Sequence, residues 1–88
     1  MVKKHTSFDN YSKKPLKEDV RKAMKRYYQQ LDSNMPVDVY KLVLDEVEPP
    51  LLEATMNFVN QNQSKASQIL GINRTTLRTK LKKHGLLK

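Results

Sequence analysis

Apolar residues recur at three- and four-residue spacing through most of the chain, the period of helices and not the alternation of strands. Leu16, Val20, Ala23/Met24, Tyr27/Tyr28 and Leu31 mark a first stripe, while Lys17, Glu18, Arg21, Lys22, Lys25 and Arg26 fill the other side. Pro15 suits the first helical position, and Asp32-Ser33-Asn34 with Pro36 just beyond closes the helix. A second helix is expected to start near Asp38. Val39/Tyr40, Val43/Leu44, Val47, Leu51, Thr55 and Phe58/Val59 carry one apolar stripe through it to Asn60. Glu48-Pro49-Pro50 interrupts that stripe. Proline removes an i→i−4 hydrogen bond and crowds the preceding turn, so two in a row demand a break or a kink. The stripe keeps its phase across them, which favours a kinked continuation.

The last 27 residues read as helix, tight turn, helix and a short end. Asn62 caps a helix through Lys65, Ala66, Ile69 and Leu70, because its side-chain oxygen can accept from an unpaired first-turn N–H. Gly71 follows, the residue best able to hold the left-handed backbone that ends a helix. Ile72 is an apolar plug, Asn73 a second cap, and Arg74 to Lys83 a further helix stopped by Gly85. Residues 1–14 (MVKKHTSFDNYSKK) show no apolar period and are expected to form a flexible N-terminal arm. The fold class expected is all-α.

Composition narrows the function. An 88-residue chain is one domain near the lower end of what folds alone, so a partner subunit would help it. With no cysteine there is neither a disulfide framework nor a thiolate metal site, which suits a reducing cytoplasm. Its apolar runs are only a few residues long, far short of the roughly 20 that span a bilayer. The first residues lack the apolar run of a secretory signal, so a cytoplasmic location is expected.

The formal net charge of +8 is unevenly placed. Residues 1–53 carry ten Lys/Arg and all nine Asp/Glu, whereas residues 54–88 carry seven Lys/Arg and no acid. A balanced set belongs to solvated helix faces; a one-sided set belongs to a polyanion partner or an anionic membrane. His5 and His84 lie far apart with no cysteine or paired carboxylate near, so neither metal nor any other cofactor is expected. Asp45, Glu46 and Glu48 read as a solvated acidic face, His84 as a surface or half-buried packing residue, and Tyr27, Tyr28 and Tyr40 as core. No nucleophile–base pair, metal cluster or phosphate loop points to an enzyme.

The order short helix, glycine turn, second helix over residues 63–83 is the layout of a helix-turn-helix. Leu77 and Leu81 are four apart and must face inward with Ile72. At about 100° per residue, Thr75, Arg78, Thr79 and Lys82 then face solvent, flanked by Thr76 and Lys83, with Arg74 at the edge in the first turn. Such a face suits a major groove: arginine can donate bidentately to guanine, threonine offers a hydroxyl and a methyl, and lysines neutralise phosphates. First-turn N–H groups near Asn62 and Asn73 add two phosphate sites, with Ser64 and Lys65 supporting the first.

The segments Lys14-Pro15-Leu16, Gln30-Leu31, VYKLVLDEVEPPLLE (39–53) and above all NQSKASQILGINRTTLRTKLKKHGL (62–86) resemble the Fis family, the factor-for-inversion-stimulation proteins of bacteria. The similarity covers about residues 14–86. GINRTTLRTKLKKHG is shared by Fis and the C-terminal domains of NtrC-type activators, while VYKLVLDEVEPPLL is similar to Fis proper. The resemblance implies a homodimer with a four-helix core built from residues 15–60 of each subunit, the second helix proline-kinked. It also implies a helix-turn-helix region, residues 61–88, that bends double-stranded DNA in the nucleoid and regulates transcription, with RNA polymerase a further candidate partner. By position it carries over Asn62, Ser64, Asn73, Arg74, Thr76, Arg78, Lys80, Lys82 and Lys83 as DNA contacts, those matching Asn73 and Arg74 reaching base edges. Thr79 stands where the family commonly has a basic residue, Ser67 where it has alanine, and Pro49 is an added proline. The short arm does not match the family's longer hairpin, which argues against contact with a recombinase. The alternatives to this reading are a module related to NtrC-type C-terminal domains and a basic amphipathic protein that binds membranes or other proteins.

Overall fold

A computed structural model of the chain describes residues 15–88; the expected arm, residues 1–14, lies outside them. The described residues form four helices and no strand, the all-α class expected: α1 (Leu16–Gln29), α2 (Val39–Phe58), α3 (Gln63–Leu70) and α4 (Arg74–Lys83). They divide at Val37/Asp38 into two compact units.

The first unit holds α1. Pro15 sits one residue earlier than expected, at the cap (φ −57°, ψ 146°), where its carbonyl accepts from Glu18 N–H at 2.9 Å. Its missing N–H costs nothing there, since first-turn N–H groups have no helical partner. Glu18 and Asp19 in the first turn and Arg26 in the last complement the helix dipole. The helix stops at Gln29 and a turn runs through Ser33, with Asp32 in the left-handed region at φ 54°. No residue of α1 is buried, and Leu16, Val20 and Tyr28 all stand exposed.

In the second unit α2 runs through Pro49 and Pro50 without interruption, the continuation that the unbroken stripe predicts. The two prolines leave the carbonyls of Asp45 and Glu46 without their usual i+4 donors. What holds the helix together lies on its C-terminal side. Leu52, Met56 and Val59 are buried there with Ala66 of α3 and Leu77 and Leu81 of α4, and Leu70, Ile72, Leu86 and Leu87 pack around them. Ala66, Leu77 and Leu81 are at most 1% exposed. The single stripe read from the sequence is thus two. Leu52, Met56 and Val59 face α3 and α4, whereas Leu44, Leu51 and Phe58 stay exposed. An apolar band wide enough to hold both reads as one in sequence, because neighbouring positions on a helix differ by only about 100°.

The three helices of this unit end in one way. Gln61, Ile72 and Leu86 donate backbone N–H groups five residues back, to Met56, Ser67 and Leu81, at 2.8, 3.1 and 2.7 Å. Each closure needs a left-handed residue. Gly71 (φ 71°) and Gly85 (φ 70°) supply it after α3 and α4, as expected, while Asn60 (φ 53°) and Gln61 (φ 67°) supply it after α2. The turns then aim Ile72 and Leu86 back at the cluster.

So small a core has no reserve. Leu81→Ala is expected to destabilise the second unit by about 2–5 kcal/mol, while Ile69→Ala, at an exposed position, changes stability by less than about 0.5 kcal/mol. Urea titrations followed by circular dichroism measure both.

Candidate nucleic-acid interface

With Leu77 and Leu81 buried, the remaining faces of α4 are fixed. Thr75, Arg78, Thr79 and Lys82 line one open, shallow hollow with Leu87 beside them. Arg74 and Thr76 are exposed in the first turn of the same helix. Thr79 turns its hydroxyl back onto its own helix, donating to the Thr75 carbonyl at 3.0 Å. That leaves Arg74, Thr75, Arg78 and Lys82 as the polar groups this flank offers to a partner.

Both predicted caps form. The Asn62 side-chain oxygen accepts from Lys65 N–H at 3.1 Å, and that of Asn73 accepts from Thr75 N–H at 2.7 Å. Each bond satisfies one first-turn donor and leaves others of that turn outside the helical ladder, where an anion oxygen can meet them. Arg78 Nη1 reaches Gln63 Oε1 at 3.5 Å, which brings the start of α3 beside the outward flank of α4. Asn62, Ser64 and Lys65 are exposed at that start. The structure therefore assembles the α3 cap, the α4 cap and the outward α4 flank into one acid-free surface.

Lys80 and Lys83 sit elsewhere. They lie on the flank of α4 that meets α2, and the acids of α2 engage them. Lys80 Nζ donates to Glu48 Oε2 at 2.9 Å, His84 Nε2 to Glu48 Oε1 at 2.8 Å, and Lys83 Nζ to Asp45 Oδ1 at 3.1 Å. Lys41, one turn before Asp45, donates to its other oxygen at 2.8 Å. The reading of a solvated acidic face is corrected here for Glu48: only 18% of its side chain and 9% of the His84 side chain are exposed, whereas Asp45 stays open to water and is ion-paired. Hydrogen bonds from Lys80 and then His84 hold the Glu48 carboxyl below its usual 4.5. Those from Lys41 and Lys83 hold Asp45 down at about 2. The spacing could have flagged this contact. Asp45 and Glu48 are three apart, as are Lys80 and Lys83, with His84 one further, so each set shares a helix face. Nothing in the sequence says that the two faces meet. Among the described residues no group of His, Asp and Glu has the arrangement of a metal site, and no helix is long and apolar enough to cross a membrane.

Residues 43–84 match the sequence profile of the family described as "Bacterial regulatory protein, Fis family". Over 80 residues the chain is 49% identical to "DNA-binding protein Fis" of Proteus mirabilis (strain HI4320), covering 91% of this chain and 82% of the relative. It is 51% identical over 73 residues to the protein of that name from Actinobacillus succinogenes (strain ATCC 55618 / DSM 22257 / CCUG 43843 / 130Z), covering 83% and 74%. The protein of that name from Yersinia pestis (strain Pestoides F) is 48% identical over 80 residues, covering 91% and 82%.

The Glu48 cluster makes stability depend on pH. Because the folded carboxyl is held below 4.5, its contribution is fully present above that value and is lost as pH falls through the lowered one. Glu48→Gln is expected to cost about 1–3 kcal/mol at neutral pH, a difference that shrinks as the medium is acidified. Thermal melts of both proteins across the acid range measure it.

Proposed function

The chain belongs to the Fis family of bacterial regulatory proteins, and we propose that it binds double-stranded DNA as a homodimer. The observation that carries the reading is the outward flank of α4, where Thr75, Arg78 and Lys82 stand together on a helix anchored from behind by Leu77 and Leu81, with Arg74 exposed in its first turn. One helix fits the major groove, and its N-terminal residues come nearest the base edges. Arg74 and Asn73 therefore read bases, Thr75 adds a hydroxyl and a methyl, and Arg78 and Lys82 contact phosphate. Asn62, Ser64, Lys65 and Thr76 hold phosphates at the two helix starts, and Lys80 and Lys83 flank the groove. With so few base-reading groups, specificity rests largely on groove width and deformability.

The apolar surface left over supports dimerisation. Tyr40, Leu44, Leu51 and Phe58 are exposed on α2, with Val47 and Thr55 half-buried between them. Their spacing of three and four over five turns is that of a helix seam seeking another helix. α1 has an apolar stripe and no buried residue, and a helix of 14 residues is marginal in water without a surface to cover it. A second copy of residues 15–60 meets both needs.

In such a dimer each subunit presents one α4 to the same side of a duplex. Successive major grooves of straight B-DNA lie about 34 Å apart, and a pair of recognition helices set closer than that engages both only if the duplex curves. We propose with it that the protein bends DNA in the nucleoid and regulates transcription, a reading that the match to a family of bacterial regulatory proteins supports.

Three results test this reading. Arg74→Ala is expected to weaken binding to a specific site by about 1–3 kcal/mol, whereas Lys82→Ala weakens binding to all duplexes similarly and flattens the salt dependence. Gel-shift titrations at two salt concentrations separate the two, and equal loss of specificity in both variants counts against the assignment. Sedimentation equilibrium should return a dimer that Leu51→Asp converts to monomer. Circularly permuted fragments should show mobility that depends on the position of the site, as a bend requires.

A further inference from the structure

The two acids that face α4 differ in what they hold. Glu48 bridges His84 and Lys80 and is largely covered, so it fixes the helix in place. Asp45 is more open. Its side chain is 37% exposed, and that of Lys83 is 53% exposed. One Asp45 oxygen takes Lys83 and the other takes Lys41, so the carboxylate stays in place when Lys83 leaves.

Lys83 follows Lys82, which stands on the outward flank of the same helix. About 100° around α4 separates the two Cα positions, and a four-carbon stem carries an ammonium across much of that arc. Its positive end can therefore rest on an α2 carboxylate or on a phosphate beside the groove. A carboxylate and a phosphate oxygen present the same chemistry to it, an anionic acceptor at hydrogen-bond distance.

We propose that Asp45 is a built-in competitor for phosphate at Lys83: it holds the lysine on the α2 side in the free protein and releases it when duplex DNA arrives. This rests on the DNA-binding reading above. The competition sets affinity without touching base readout, since Arg74 has no carboxylate partner among the described residues. It also lowers the number of counterions exchanged below what the lysines of α4 would give if all stood free.

The test compares wild type with Asp45→Asn, Glu46→Gln, Lys83→Gln and the double variant Asp45→Asn/Lys83→Gln, titrated into a short labelled mixed-sequence duplex over a series of salt concentrations. Glu46 is an exposed α2 acid whose removal changes the net charge equally. Asp45→Asn should bind about two- to fivefold tighter at low salt, the range of an exposed ion pair. Its salt dependence should steepen by part of the roughly 0.9 that one phosphate contact contributes, because no vacated Asp45 carboxylate then takes up a cation. Glu46→Gln should do less, and the Asp45→Asn gain should vanish on the Lys83→Gln background. The proposal is overturned if Asp45→Asn binds no tighter than Glu46→Gln, or if its gain survives without Lys83. A wild type that ignores duplex even at low salt instead overturns the DNA-binding reading itself.

Discussion

The helix-turn-helix hangs on one apolar contact, the closure of Leu77 and Leu81 over Leu52, Met56 and Val59 with Ala66 between them. Ala66 leaves almost no side chain in the way, so α3 can lie close enough for α4 to reach α2. Once those two leucines are inside, the rotation of α4 has no freedom left. Every other residue of the helix is assigned a direction, and the basic residues inherit theirs from the leucines. The left-handed turns at Gly71 and Gly85 secure the same outcome at the helix ends by sending Ile72 and Leu86 back towards the cluster.

The charges of α4 are sorted by that closure. One flank carries Arg74, Arg78 and Lys82 with no acid opposite; the other carries Lys80, Lys83 and His84 against Glu48 and Asp45. A basic helix packed on an acidic one is attracted to it, but a helix fully neutralised there would have nothing left for a polyanion. The division leaves an attachment side and a basic side without ion pairs among the described residues. The electrostatic gain on the attachment side is modest because Lys83 and Asp45 remain in contact with water. The part-buried Glu48 cluster contributes more orientation than energy, since bringing its charges out of water offsets much of their attraction.

Surplus apolar surface marks the rest of the molecule. α2 buries one stripe within its own unit and leaves a second exposed, and α1 has no buried residue at all. Apolar surface of that kind on a helix is rarely left to solvent. The continuity of α2 through Pro49 and Pro50 matters in this light. It keeps the exposed stripe and the buried stripe on one rod, so whatever covers the first is mechanically joined to the helix-turn-helix that depends on the second.

By itself the amino-acid sequence determined the four helices, both asparagine caps, the glycine turns and the inward leucines of α4, because each follows from contacts within a few residues. It also located the acid-free segment and the outward groups Thr75, Arg78 and Lys82, which depend only on helical rotation away from Leu77 and Leu81. Only the tertiary structure decided that α2 carries two stripes and not one, since burial at Leu52 and Met56 and exposure at Leu51 and Phe58 depend on where α3 and α4 come to rest. It also decided that Asp45 and Glu48 meet α4 across 32 to 38 residues of chain. Charge pairing at that separation has no local signal: each helix shows which residues share a face, and the packing of the leucines alone chooses which faces touch.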